Sequence, residues 1–152
     1  MERSDTKTQR IWYGVTATVV IGPGFRHQAG LGRFLIPHPP LVNWLLRRRL
    51  HEAKRHALSF THEIGHFQTA PLALIYTIAE IAVAYAGGAT GWLLGVILLS
   101  AFAAWEILAE VYTIAGSREF YDLCYRGTSR IPRLLFWTFA AVLTLVGWIV
   151  AT

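Results

Sequence analysis

From His56 to Ser117 the chain contains no lysine and no arginine, and most of that stretch is apolar. A second apolar run closes the sequence, from about 134 to 151. Runs of this length are hard to bury in a soluble domain of 152 residues, but they match the hydrocarbon thickness of a bilayer. Composition agrees: 54% of residues are hydrophobic, only 15% are charged, and the mean hydropathy is positive. Residues 1–152 are therefore expected to form a single membrane-embedded domain. Its expected fold is an all-α, polytopic bundle of three to four transmembrane helices.

The fourteen basic residues sit in three groups: before residue 11, between Arg26 and Arg55, and between Arg118 and Arg133. They flank the apolar runs rather than covering a polar, foldable surface. This argues against a nucleic-acid partner and for the positive-inside pattern of a membrane protein. The basic connectors 26–56 and 116–133 are then expected to face the cytoplasm of a cell inner membrane. The turn 87–91 and the C-terminus would lie opposite. The N-terminal segment shows no cleavable signal peptide. One cysteine, Cys124, leaves no internal disulfide.

Residues 11–25 are apolar but short for a span, so they are expected to cross thinly, to re-enter, or to break at Gly22-Pro23-Gly24. The stretch "LVNWLLRRRLHEAKRHALSF" has helical apolar spacing and a basic remainder, and so reads as an amphipathic helix on an anionic membrane surface. Residues 57–86 read as one helix kinked near Pro71, residues 92–115 as the next, and 134–151 as the last. Trp12, Tyr13, Trp92, Trp137 and Trp148 fit an interfacial aromatic belt or helix packing. His27, His38, His51 and His56, and the charged set Arg118, Glu119, Asp122 and Arg126, are expected to be solvated.

The chemistry concentrates in "THEIGHF". His62 and His66 stand at i and i+4, on one helix face and about 6 Å apart along the axis. They can ligate one Zn2+, and Glu63 between them can act as general base on a water at the metal. A catalytic zinc usually takes a third protein ligand. Glu80, Glu106 and Glu110 are the acidic residues between 67 and 117. Glu106 and Glu110 share a face and, in a helical hairpin about residue 88, fall within about 3 Å of the histidines' depth. That register slightly favours Glu110, and both remain candidates. Glu80 lies about 27 Å along the axis from His62 and is expected to line the bundle, bond another helix, or stay protonated.

"HEIGH" followed some forty residues later by "ExxAE" resembles the gluzincin metallopeptidases, in particular the membrane-embedded CAAX-prenyl-protease and heat-shock membrane protease group. The resemblance implies His62, His66 and Glu106 as zinc ligands and Glu63 as base. Glu110 stands where that family has a second-shell aspartate, so the two glutamates' roles are exchangeable. "HEIGHFQTA" also resembles the site-2 intramembrane proteases, but their Leu-Asp-Gly element is missing. The expected activity is zinc-dependent cleavage of a membrane-associated peptide or membrane-protein substrate. It would take place beside membrane lipid, near the cytoplasmic face, and is compatible with a homo-oligomer. Two other classes stay open. One is a di-iron oxidoreductase using Glu63-x-x-His66 with Glu106 and Glu110. The other is a small membrane adaptor in which the polar trio merely caps a helix.

Overall fold

The computed structural model describes residues 5–22, 27–38, 41–88 and 91–152. Pro23, Gly24 and Ala89-Thr90, which figure in the sequence reading, lie outside them.

Among the described residues, three helices are long and apolar enough to cross a membrane: α2 (Glu52–Ala86), α3 (Trp92–Gly116) and α5 (Ile131–Ala151). α3 packs against both α2 and α5. Large apolar side chains such as Leu74, Ile75, Leu98, Phe139 and Ile149 remain exposed on the outside of this bundle. A surface of that kind is stable against lipid rather than water. Two shorter helices, α1 (Leu41–Arg47) and α4 (Arg118–Tyr125), join them.

The all-α expectation needs a correction. Four strands precede the helices: β1 (Asp5–Arg10), β2 (Thr16–Ile21), β3 (His27–Leu31) and β4 (Phe34–His38). They form an antiparallel meander in sequence order. Over its described residues 11–22, the short apolar run neither spans nor re-enters as a helix, because "TATVVI" alternates with a period of two. Ala17, Val19 and Ile21 are buried, while Thr16, Thr18 and Val20 face the other way. The buried face packs on Ile64 of α2. A tight turn at Gly32-Arg33 joins β3 to β4, and Gly32 adopts φ +60, which a side chain would strain.

The single basic amphipathic helix also needs correcting. The chain leaves helix after Arg47 and starts again at Glu52, so α1 and α2 are separate. The break turns Arg47 inward, to zero exposure, while Arg48 and Arg49 stay outside.

α2 continues through Pro71. Proline has no N–H, so the Phe67 carbonyl four residues earlier loses its helical donor. The Tyr13 hydroxyl donates to that carbonyl at 3.0 Å. Its neighbours are also used: Trp12 Nε1 donates to Gln68 O at 2.8 Å, and Trp105 Nε1 to His66 O at 3.0 Å. The β1–β2 turn is thereby pinned to the weakest turn of α2. Trp12 and Tyr13 serve as this clasp, beyond any role in an aromatic belt.

At the far end of the bundle, Ala84, Ile97 and Ala151 pack together. Close by, Gly147 of α5 lies against Glu80 of α2 and Ser100 of α3, and a Cβ there would collide with both side chains. Ser100 Oγ is 3.1 Å from the Tyr76 hydroxyl and donates to Thr144 O at 3.3 Å. Glu80 is fully buried in this polar seam, well away from the histidines.

Gly147→Ala is therefore expected to force α5 away from Glu80 and Ser100, at about 1–3 kcal/mol for overpacking. Gly95→Ala is the matched control, since a Cβ at Gly95 meets nothing within 4 Å. Thermal unfolding in detergent should show a lower Tm for Gly147→Ala and an unchanged or higher Tm for Gly95→Ala. Equal Tm values would contradict the tight seam.

Candidate metal centre

α2 and α3 approach closely where Gly65 of α2 meets Ala109 of α3. A Cβ on Gly65 would lie 2.8 Å from the carbonyl oxygen of Ala109 and 3.1 Å from its Cα. This close approach brings the His62/His66 face of α2 against the Glu106/Glu110 face of α3.

His62, His66 and Glu106 form one group, with a potential ligand atom from each lying within 4.8 Å of the others. Glu106 Oε2 is 3.1 Å from His62 Nε2 and 3.5 Å from His66 Nε2. Donors about 2.0–2.1 Å from a tetrahedral zinc stand about 3.3 Å apart, so these spacings suit a shared ion. The imidazoles meet edge-on, with centroids 4.8 Å apart, and His66 also packs edge-on against Trp105 at 5.2 Å. His66 Nδ1 is buried without a hydrogen-bond partner among the described residues. On that side the ring is held by packing against Trp105, and Glu106 meets it at Nε2.

Glu110 stands behind the group rather than within it. Its Oε2 is 2.9 Å from His62 Nδ1, the nitrogen opposite the one that faces Glu106. The same oxygen pairs with the Arg47 guanidinium, and Tyr121 donates its hydroxyl to Oε1 at 2.8 Å. Glu110 and Arg47 both have zero exposure. This carboxyl group thus joins α1, α2, α3 and α4 at one point.

A buried carboxylate is costly unless it is paired and hydrogen-bonded, and Glu110 is both. Burial would by itself lower the Arg47 pKa, but Glu110, together with Tyr125 and Tyr121, outweighs that, and the net direction is upward. Burial pushes the Tyr121 hydroxyl up as well, reinforced by the negative charge of Glu110, so Tyr121 remains a neutral donor.

Glu63 is not one of the three grouped residues. It is buried, and its Oε1 lies 3.8 Å from His27 Nδ1 of β3. His27 is thus buried against the motif glutamate, not solvated as its connector position suggested. His56 is partly covered and bonds Asp5 of β1 at 2.8 Å, which ties the other end of the sheet to α2. His51 is exposed, as expected, and the side chain of His38 lies outside the described residues. Arg118 and Asp122 form an exposed pair at 4.0 Å, but the helix carrying them buries Tyr121, Cys124 and Tyr125 on its other face. That connector is therefore only half solvated.

Arg47, Tyr121 and His27 were missed from sequence. Arg47 looks like one of three equivalent arginines until the helix break is known. Tyr121 does follow a signal that can be read in advance. It stands at i, with Cys124 and Tyr125 at i+3 and i+4, an apolar stripe between charged residues.

Arg47→Met is expected to leave Glu110 buried without its counter-charge, at about 3–5 kcal/mol. The double variant Arg47→Met/Glu110→Gln should recover most of that loss, because no buried charge is left unpaired. Thermal unfolding of both in detergent is the check. A single variant as stable as the parent would show that Glu110 does not depend on Arg47.

Comparison with protein-family models, with curated proteins and with solved structures finds no match to this chain.

Proposed function

We propose that this chain is a membrane-embedded, zinc-dependent peptidase acting on a membrane-associated or juxtamembrane peptide bond. The observation that carries the reading is the His62–His66–Glu106 group, with His62 oriented from behind by Glu110. Metal-binding histidines generally donate their other ring N–H to a carboxylate or carbonyl. With Nδ1–H given to Glu110, the Nε2 lone pair of His62 is left for an ion. Two imidazoles and a carboxylate make a three-ligand donor set typical of hydrolytic zinc, with one position left for water or substrate.

When bound, Zn2+ would supply Lewis acidity, activating water and polarising the scissile carbonyl. The protein's own groups would do the rest. Glu110, neutralised by Arg47 and bonded by Tyr121, keeps the His62 ring fixed. Glu63, next to His62 in sequence and buried, serves as the general base and passes its proton to the leaving amine. His27, 3.8 Å from Glu63, sets the polarity around that carboxylate.

The bilayer context supports a membrane-associated substrate. His66 precedes by about one and a half turns the exposed apolar stretch that begins at Leu72. The centre therefore stands near one boundary of the hydrocarbon. Arg48, Arg49, Arg118, Arg126 and Arg130 belong to connectors at that same end. By the positive-inside bias, that end faces the cytoplasm of an inner membrane.

The geometry disfavours a di-iron centre. Such a centre needs bridging carboxylates, and Glu110 is already engaged by Arg47, Tyr121 and His62.

Elemental analysis of the detergent-purified protein should find about one zinc per chain, lost in His66→Ala. Glu63→Gln should keep the zinc and lower cleavage of a peptide library in mixed micelles by about 10²–10⁴-fold. Two irons per chain, or undiminished cleavage by Glu63→Gln, would contradict the proposal.

A further inference from the structure

The same end of the bundle holds a second polar feature that the histidine group does not use. Between α1, the α4–α5 connector and the first turn of α5 lies a cavity of about 320 Å³. Arg48, Arg49 and Arg133 line it, with Thr128, Ser129 and Leu45. A wider cleft of about 820 Å³ shares Tyr125, Thr128 and Arg133 with it and adds Arg118, Arg126 and Arg130. Six arginines therefore surround one short connector. Among the described residues, Asp122 is the single carboxylate lining either space, and it already faces Arg118.

Three further observations specify the ligand. Arg133 is held in place, with its guanidinium carbon 4.7 Å above the Tyr125 ring, while its Nε has no hydrogen-bond partner among the described residues. The cavity also includes the start of α5 at Ile131 and Pro132, where the positive end of the helix dipole favours an anion. Lastly, the lining is of two kinds. Beside the arginines stand Leu45, Leu46 and Ile131, and Leu45 and Ile131 are exposed.

The cavity itself stands at a definable depth. α5 has 21 residues, about 31 Å at 1.5 Å per residue, which is one hydrocarbon thickness. Its C-terminus packs with the end of α2 and the start of α3. Its N-terminus at Ile131 therefore stands at the opposite boundary, where headgroups meet acyl chains. A cavity at that boundary that combines arginines with exposed leucine and isoleucine fits an anionic amphiphile better than a soluble anion.

We propose that this cavity is a binding site for an anionic phospholipid. Arg48, Arg49 and Arg133 hold the phosphodiester, and Leu45 and Ile131 receive the upper part of an acyl chain. Arginine suits this task because its planar fork engages phosphate oxygens in pairs. The site is independent of the peptidase reading and needs no metal.

The test is native mass spectrometry of delipidated, detergent-solubilised protein offered equal amounts of phosphatidylglycerol and phosphatidylcholine. One retained phosphatidylglycerol per chain is expected, in clear preference to phosphatidylcholine. Arg49→Gln/Arg133→Gln should cut that preference about tenfold. Arg10→Gln/Arg33→Gln removes the same charge from exposed positions on the sheet and should leave it intact. Arg49→Gln alone, at an exposed position, keeps the test readable if the double variant fails to fold. Equal retention of both lipids, or an equal loss in the sheet variant, would overturn the proposal. So would displacement of the lipid by inorganic phosphate at matching concentration, which would assign the cavity to a soluble anion.

Discussion

The structure depends on one buried carboxylate. Glu110 has no exposure, and an unpaired charge there would be untenable at that depth. Its oxygens are met by an arginine from α1, a histidine from α2 and a tyrosine from α4. Removing any of these elements would leave the charge short of partners, so the carboxylate enforces the arrangement of all four. The bare contact of Gly65 with Ala109 is the steric half of the same constraint. Larger residues there would hold α2 and α3 apart, and neither Glu106 nor Glu110 could reach the histidines.

That arrangement gives the two glutamates of α3 unlike roles, although they are one helical turn apart. Glu106, partly accessible, faces both histidines. Glu110 is spent on Arg47, Tyr121 and the rear nitrogen of His62. The polarity is graded outward from the proposed metal position: ligand group, orienting carboxylate, then counter-charge. The sheet adds a cover on another face of α2, where His27 approaches Glu63 and the hairpin aromatics occupy the carbonyls around Pro71.

The spanning helices and the histidine–glutamate pairing were legible in the sequence because both rest on short-range rules. A 3.6-residue period puts i and i+4 side chains on one face, and a hairpin register places two such faces at a common depth. The register was good to about half a turn, which was too coarse to separate Glu106 from Glu110. The sheet was not legible as a sheet. Its strands are five or six residues long, β1 is polar throughout, and the apolar run containing β2 resembles a shortened span when counted by composition alone. Alternation in "TATVVI" was the available signal. Arg47 was hidden for a different reason. Which of three consecutive arginines is buried follows from where α1 stops, and that is decided by tertiary packing of Val42 and Leu46 on Phe136.

The central claim is that His62 presents Nε2 to a metal because Glu110 holds Nδ1, with Glu106 completing the ligand set. Titration of the purified protein with Co2+, followed by visible absorption, tests it most directly, since four-coordinate cobalt absorbs far more strongly than six-coordinate cobalt. The parent protein should show the intense four-coordinate bands at one Co2+ per chain. Glu106→Ala should abolish them, and Glu110→Gln should keep them while weakening affinity by about 10–100-fold. A cobalt spectrum indifferent to Glu106→Ala, or one that Glu110→Gln removes entirely while Glu106→Ala does not, would contradict this assignment.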